Sequence, residues 1–279
     1  MSYKSILVHL DNDGRCAERI DIAARLALGF DARLAGLYLL RQPEVPGYVS
    51  AELGVEFLES RRREWRLKQI ERMTAQFRER TVRAGVDGAE FRVADTIPED
   101  AIALHARYSD LLVIGQVNPE DSGALMPAGF PGQTVLASGR PVLIIPYAGA
   151  FPHIGERVLV AWNASREAAR AVTDALPFLQ RAAKVSVLAV NPGKIDGHGE
   201  LPGADISLFL ARHGVRVEAV PSDTGDVDVG PWLLSRASDL DADLIVMGGY
   251  GHSRLRELAF GGVTRNLLGG MTVPVLMSH

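Results

Sequence analysis

Short apolar runs that alternate with stretches of helical periodicity recur along the chain. Val185 to Val190 and Leu244 to Met247 are continuous apolar runs rather than alternating ones, which is typical of parallel strands that helices cover on both faces. Helical patterns over Arg15 to Leu28 and Ser165 to Arg181 each follow another apolar run, the first after Ser5 to Asp11 and the second after Arg157 to Asn163. The sequence therefore predicts the α/β class, built from doubly wound parallel sheets.

The strand sequences also repeat, and the repeat predicts the domain organisation. Three pairs of segments match. Ser5 to Asp11 matches Arg157 to Asn163 at an offset of 152 residues. At an offset of 133 residues, Asp110 to Gly115 matches Asp243 to Gly248, and Arg140 to Ile145 matches Val273 to Ser278. We expect two tandem copies of one domain, residues 1–150 and 151–279. Apolar edge strands at Val142 to Pro146 and Val273 to Met277 are expected to pair with each other as an internal pseudo-dimer. A further homodimer stays open.

The two offsets differ by 19 residues, so the first copy carries an insertion of about that length. Arg41 to Arg80 is the expected place, because it becomes a long charged stretch with apolar residues at broadly helical spacing. The segment Glu59 to Arg72 could be interpreted as a basic recognition helix, but its glutamates can pair with its arginines. A solvated helix with Trp65 and Ile70 towards the core is the favoured interpretation.

A glycine-rich loop follows the strand Leu244 to Met247. Gly248 and Gly251 allow a sharp turn with close backbone approach to a ligand, and Gly261 and Gly262 open a last helix whose free N–H groups attract phosphate. The pattern Gly-x2-Gly-x9-Gly, with the strands around it, resembles the universal stress protein family over both copies. The resemblance implies Rossmann-like, adenine nucleotide alpha hydrolase-like domains that bind ATP or a related adenine nucleotide, with Mg as a companion.

The resemblance assigns the binding residues of the second copy by position. The phosphate and ribose side would be formed by Met247, Gly248, Gly251, Gly261, Gly262, Val263 and Thr264, and Ala161, Trp162 and Asn163 would lie near the adenine or ribose. Two positions depart from the family pattern. Gly262 replaces a Ser or Thr, and Asn163 replaces an acidic residue. Trp162 could stack on a base or fill its pocket.

The first copy is expected to have lost this site. At the offset of 133, Asn118 replaces Gly251 and Pro131, which has no N–H, replaces Thr264. Asp11 matches the acidic family position, but without a phosphate loop we expect it to be solvated or to cap a helix.

Composition excludes several other classes of function. The net charge of −4 provides no positive field for a nucleic acid, and no apolar run is long enough to span a membrane. A single cysteine, Cys16, fits a reducing compartment, so a cytoplasmic protein is expected. The histidines lack the spacing of metal ligands, and no nucleophile with a partner base can be named.

Three functions remain as hypotheses. The first is a stress-response module, not an enzyme, that binds an adenine nucleotide in the second copy. The second is a scaffold for a protein or another small molecule, with Trp162 and Gly262 marking an abandoned ATP site. The third is slow ATP hydrolysis, for which the chain offers a cradle without a clear base, lysine or metal-ligating carboxylate.

Overall fold

A computed structural model describes most of the chain. The described residues are 2–40, 55–94, 98–120, 126–190, 203–220, 228–250 and 262–279. The predicted sites Gly251 and Gly261 and the first part of the insertion lie outside them.

Each half of the chain alternates strands and helices. The elements of the first half are β1 (Ser5–Leu10), α1 (Cys16–Phe30), β2 (Arg33–Leu39), α2 (Val55–Ala84), β3 (Glu90–Ala94), α3 (Pro98–Ala106), β4 (Leu111–Gly115), α4 (Phe130–Ser138) and β5 (Val142–Ile145). Those of the second half are β6 (Arg157–Trp162), α5 (Arg166–Leu179), β7 (Lys184–Ala189), α6 (Ala204–Arg212), β8 (Val217–Val220), α7 (Val229–Asp239), β9 (Leu244–Gly248), α8 (Gly262–Gly270) and β10 (Val275–Ser278).

The described strands form one ten-stranded sheet in the order β3-β2-β1-β4-β5-β10-β9-β6-β7-β8. Pairing is parallel within each half. The two halves meet where β5 and β10 pair antiparallel, with Leu276 opposite Leu143. The edge strands therefore pair as the sequence predicts, and the pairing satisfies backbone groups that would otherwise face solvent.

The repeat is visible in single hydrogen bonds. The N–H of Gln116 donates to the carbonyl of Ile145 at 2.8 Å, and the N–H of Gly249 donates to that of Ser278 at the same distance. Both residues of the second pair lie 133 positions after those of the first, so the offset found in the sequence is also the offset of the structure.

Two hydrophobic layers cover the two faces of the sheet, as doubly wound α/β folds require. One layer includes Val8, Val160 and residues of α1, α2 and α5, and the other includes Leu7, Ala161 and residues of α3, α4, α7 and α8. Continuous apolar strands supply side chains to both layers, which confirms the interpretation of those runs.

The insertion contains the long helix α2, which packs on α1. Met73 and Phe77 are buried, and Trp65 and Ile70 pack partly against the same core. Glu64 forms ion pairs with Arg61 and Lys68 on the exposed side. The helix is thus amphipathic with a solvated charged face, as expected. Among the described helices, none is long and apolar enough to cross a bilayer.

Candidate functional site

The carboxyl ends of the strands lie at opposite edges of the sheet in the two halves. This follows from the topology, because strands are parallel within a half and antiparallel across the β5–β10 junction. In open α/β sheets, ligands bind beyond the carboxyl ends at the point where the strand order reverses. That point lies between β1 and β4 in the first half and between β6 and β9 in the second, so there are two separate candidate sites.

The second-half site has a buried floor. Ala161 on β6 pairs with Met247 on β9, and both side chains are buried in the layer beneath α7 and α8. Trp162 points to the other face, where it packs partly against the core. This contact favours the interpretation in which Trp162 fills space over that in which it stacks on a base.

Asn163 and Ser165 shape the turn that leaves β6. The Asn163 side-chain oxygen accepts from the N–H of Ser165 at 3.2 Å, and the Ser165 hydroxyl accepts from the N–H of Ala168 at 3.1 Å. Ser165 is therefore the N-cap of α5, directly at the start of the helical pattern that the sequence predicts. Asn163 is exposed, which leaves its amide near solvent at the edge where a ligand would lie.

Gly248 is required for packing at the end of β9. A Cβ atom there would lie 2.5 Å from the N atom of Ala168 and 2.6 Å from the carbonyl carbon of Glu167. Those are backbone atoms of the first turn of α5, so no larger residue fits without moving the helix. Close packing of helix on strand is a role of glycine in dinucleotide-binding folds as well, and the two interpretations of Gly248 are compatible.

The described part of the glycine loop ends at Tyr250, a residue that the sequence interpretation did not select. It adopts a left-handed conformation with φ of 58°, which is uncommon for a residue other than glycine. Its ring packs partly against the core under α8, and burial raises the pKa of its hydroxyl to about 12. The sequence signal was the aromatic residue between Gly249 and Gly251.

The beginning of α8 has one exposed and one buried face. Gly262 is exposed, and a Cβ there would meet no atom of the described residues within 4 Å. Val263 is half-buried, and Thr264 lies on the buried side with Leu267. The contribution of Thr264 as a hydroxyl donor stays a prediction, as do those of Gly251 and Gly261. Asn266 fixes the helix by donating to Asp228, the N-cap of α7, at 2.6 Å.

A buried carboxylate stands beside this edge. Glu167 is buried in the first turn of α5 and pairs with Arg166, whose Nε lies 2.6 Å from its Oε1. Burial alone would raise the pKa of Glu167, but the hydrogen bond from Arg166 and the charge nearby outweigh it and lower the pKa. The negative charge also suits the positive end of the α5 dipole.

The first-half site is built around a buried ion pair. Asp11, directly after β1, contacts Arg19 of α1 with 2.6 Å between Oδ1 and Nη2. The guanidinium is fully buried and its Nε also donates to the carbonyl of His9 at 2.8 Å. The expectation that Asp11 is solvated or caps a helix was wrong, because α1 brings a cation to it inside the protein.

The ion pair also explains a glycine. A Cβ atom on Gly115 would lie 2.3 Å from Nη1 of Arg19, so Gly115 makes room for the guanidinium at the end of β4. Burial by itself raises the pKa of Asp11, but Arg19 lowers it below the usual value, and Asp11 in turn raises that of Arg19 against the effect of burial. Arg19 carried a sequence signal, since it lies three and four positions from Cys16 and Ala23 on the buried face of α1.

The insertion reaches the rim of this site. Arg72 of α2 donates to the side-chain oxygen of Asn12 at 2.7 Å, and the Tyr38 hydroxyl lies 3.2 Å from the same atom. The sequence predicted the helix but not its contact with the strand end.

Gln116 joins the first-half site to the second half. Its side-chain nitrogen donates to the carbonyl of Leu268 at 2.8 Å, and its oxygen accepts from the N–H of Tyr147 at 3.1 Å. Because Leu268 belongs to α8, the helix that begins at the second-half site ends against the first-half site. The amide thereby satisfies a C-terminal carbonyl of α8.

Other chemistry is not assembled in the described part of the chain. No cluster of three or more His, Cys, Asp or Glu residues there could hold a metal ion. Cys16 is buried and unpaired, and burial raises its pKa to about 11, so its thiol is not activated. Asp243, in the acidic turn before β9, accepts from the N–H groups of Gly155, Glu156 and Arg157 and is structural.

Parallel strands, crossover helices and glycine turns at two switch points define a doubly wound α/β protein of the Rossmann-like class. A model of the universal stress protein family matches residues 155–279. The second half of the chain is therefore similar to the universal stress protein family, as the glycine pattern predicted. No curated protein matches the chain.

Solved structures share the fold over both halves. A universal stress protein from Archaeoglobus fulgidus DSM 4304 is 15% identical, covers 98% of this chain and 97% of its own, and has a TM-score of 0.71. A functionally unknown protein from Pseudomonas aeruginosa PAO1 is 17% identical, covers 99% of this chain and 92% of its own, and has a TM-score of 0.57. The tandem form predicted from the repeat fits these full-length matches.

Proposed function

We propose that the chain is a stress-response protein of two tandem domains, residues 1–150 and 151–279, whose second domain binds ATP or another adenine nucleotide without turning it over. The observation that supports this proposal most is the close packing of the first turn of α5 on Gly248 at the end of β9, within the segment that matches the family. The free N–H groups at the start of α8 would take the phosphates.

The polar groups at the β6 edge fit the ribose of a nucleotide better than its phosphates. Asn163 is exposed, and a side-chain amide can accept from and donate to ribose hydroxyls. Glu167 is ionised and buried nearby, which disfavours phosphate at α5 and leaves α8 as the phosphate side.

A scaffold without nucleotide is the second candidate, and two observations favour it. Trp162 packs partly against the core, and Thr264 is buried. In that case the second half would keep the family fold and bind a protein or a different small molecule.

The test is calorimetric titration of the full chain with ATP and Mg, together with mass spectrometry of small molecules released on denaturation. We expect about one nucleotide per chain with a Kd below about 100 μM. Gly251→Leu should weaken binding by about tenfold or more because a side chain replaces backbone at the phosphate. The matched control is Asn118→Leu, at the corresponding position of the first half, which should leave ATP affinity unchanged.

The outcomes separate the two candidates. An unchanged ATP affinity in a folded Gly251→Leu protein would remove this loop from the site. Neither released nucleotide nor heat of binding in the wild type would favour the scaffold.

A further inference from the structure

The side chain of Gln116 is not needed to close the sheet, although the residue lies at the end of β4. Its backbone N–H donates to the carbonyl of Ile145 at 2.8 Å, and Gly249, the equivalent residue of the second half, makes the same bond to Ser278 without a side chain. Gln116 is nevertheless only 4% exposed. Burial of a side-chain amide is unfavourable unless its polar atoms are paired, so the partners of this amide indicate what it does.

Both polar atoms of the Gln116 amide have partners. Its oxygen accepts from the N–H of Tyr147 at 3.1 Å. Its nitrogen donates to the carbonyls of Leu268 at 2.8 Å and Gly269 at 3.3 Å. Because a donor of the first half holds the oxygen, the nitrogen has to face the second half. The amide therefore has one orientation, since turning it over would lose all three hydrogen bonds.

The two carbonyls belong to the last turn of α8, the helix whose beginning is the phosphate side of the proposed nucleotide site. The last carbonyls of a helix have no partner within it, and Gln116 supplies one from the other half of the molecule. The helix has nine residues. Its two ends are therefore only about 12 Å apart, and a shift at its last turn also shifts its first turn.

Further contacts of α8 come from α7 of the same half. A Cβ atom on Gly230 would lie 3.3 Å from the Cβ of Asn266 and 3.4 Å from the carbonyl oxygen of Val263, so the two helices approach closely. Asn266 also donates to Asp228 at 2.6 Å. The contacts with α7 thus fix the side of α8, and Gln116 fixes its end.

We propose that Gln116 is a positioning residue for the nucleotide site of the second half. By holding the last turn of α8, it keeps the free N–H groups of the first turn where they meet the phosphates. The first half thereby sets the affinity of the second half for its nucleotide, and a change that moves the end of β4 alters binding there. This role of Gln116 rests on the proposed function, because it concerns the same site.

The first test is the affinity for ATP of the full-length variant Gln116→Met, which removes the amide at nearly the same size. We expect its Kd to be about fivefold weaker, the factor that corresponds to one hydrogen bond. The matched control is Gln180→Met. Gln180 donates to the carbonyl of His213, the C-cap of α6, at 3.0 Å, so the control removes the same kind of bond without touching α8 and should bind as the wild type does.

The affinities are measured by calorimetric titration with ATP and Mg well below the Tm of every variant, so that a loss of stability is not mistaken for a loss of affinity. A second measurement separates positioning from a general structural role. The wild-type chain with ¹⁵N-labelled glutamine is titrated with ATP, and the side-chain amide signals of Gln116 and Gln180 are followed by NMR.

Coupling between two places in a protein is reciprocal, so ATP binding must affect the contact of Gln116 with α8 if that contact affects ATP binding. We expect the Gln116 signals to shift in a saturable manner, with the Kd found by calorimetry, and the Gln180 signals to stay in place. If Gln116→Met does not fold, this titration of the wild type decides alone.

The outcomes distinguish the role of Gln116 from the proposed function itself. A wild type that does not bind ATP would overturn the nucleotide site and the role of Gln116 with it. A wild type that binds ATP, with an equal Kd in folded Gln116→Met or with Gln116 signals that do not move, would overturn the positioning role alone. Equal weakening in Gln116→Met and Gln180→Met would also overturn it, because the effect would then not depend on α8.

Discussion

The two halves share one backbone plan and differ in the chemistry at the strand ends. In the first half His9, Asp11 and Arg19 lie at the carboxyl end of β1 and in α1. The corresponding residues at the offset of 152 are Ala161, Asn163 and Ala171. The first half thus contains a buried ion pair and a buried imidazole where the second contains small or neutral residues.

The difference shows that the acid, the cation and the glycine at the strand ends depend on one another. An Asp at the strand end without Arg19 would be a buried charge, and Arg19 without Gly115 would have no space. In the second half Ala171 stands where Arg19 does in the first, and the neutral Asn163 needs no cation as a partner. The space beside Gly248 is filled by the backbone of α5. The space at the equivalent glycine can therefore be filled by a side-chain ion pair or by the backbone of a helix.

Removing the acid should have the largest effect of all. Asp11→Ala leaves the Arg19 guanidinium buried without its carboxylate, and we expect a loss of about 3–5 kcal/mol in the free energy of unfolding. Asn163→Ala, the matched change in the second half, removes one exposed turn hydrogen bond and should cost less than about 1 kcal/mol. Urea unfolding at pH 7.5 measures both, and similar losses would show that the two strand ends are energetically alike.

Acid should act mainly on the first half through His9. Its pKa is about 4 in the folded protein against an ordinary 6.5, so the unfolded chain binds more protons between these values. Stability from this group is present above pH 6.5 and is lost as the pH falls, by about 3 kcal/mol at pH 4.

The measurement is urea unfolding of wild type and His9→Phe between pH 7.5 and 4.5. The variant should show a shallower loss of stability, because the wild type alone gains the extra proton on unfolding. Parallel pH curves for the two proteins would contradict the buried, uncharged state of His9.

A gain in nucleotide affinity is the smallest expected effect. Gly262→Ser restores the hydroxyl of the family pattern at a position where a Cβ meets no atom of the described residues within 4 Å. One added hydrogen bond corresponds to about 1 kcal/mol, or about fivefold in the Kd for ATP. The matched change Gly129→Ser at the offset of 133 should have no effect on ATP. A weaker Kd in Gly262→Ser would indicate that the family pattern does not apply to this helix.

The sequence predicts the fold well because its signals are local or repetitive. Apolar runs give the strands, and the offset of 133 positions β5 and β10 as equivalent edges that pair. The solvated face of α2 follows from helical spacing of charges. The N-cap at Ser165 is a local rule as well.

The candidate sites are less predictable because they depend on tertiary contacts. Asp11 and Arg19 lie on different elements, and only the packing of α1 on β1 brings them together. Trp162 faces the side of the sheet opposite to Ala161, but a strand that is apolar on both faces does not reveal from its sequence which helical layer each side chain meets. In the sequence, Gly248 and Gly115 both follow a strand as turn glycines. In the structure, Gly248 lies against the backbone of α5, whereas Gly115 lies against the guanidinium of Arg19.

The junction between β5 and β10 also has a consequence for the order of synthesis. β5 is made midway through the chain, whereas β10 follows every other described strand. While the first half is still bound to the ribosome, the edge strand β5 is unpaired until the second half has been translated. Its residues Val142, Leu143 and Ile144 are apolar and are buried in the folded protein. Such an edge is a template for pairing with other chains, so the nascent protein is most exposed to misassembly during translation of residues 146–274.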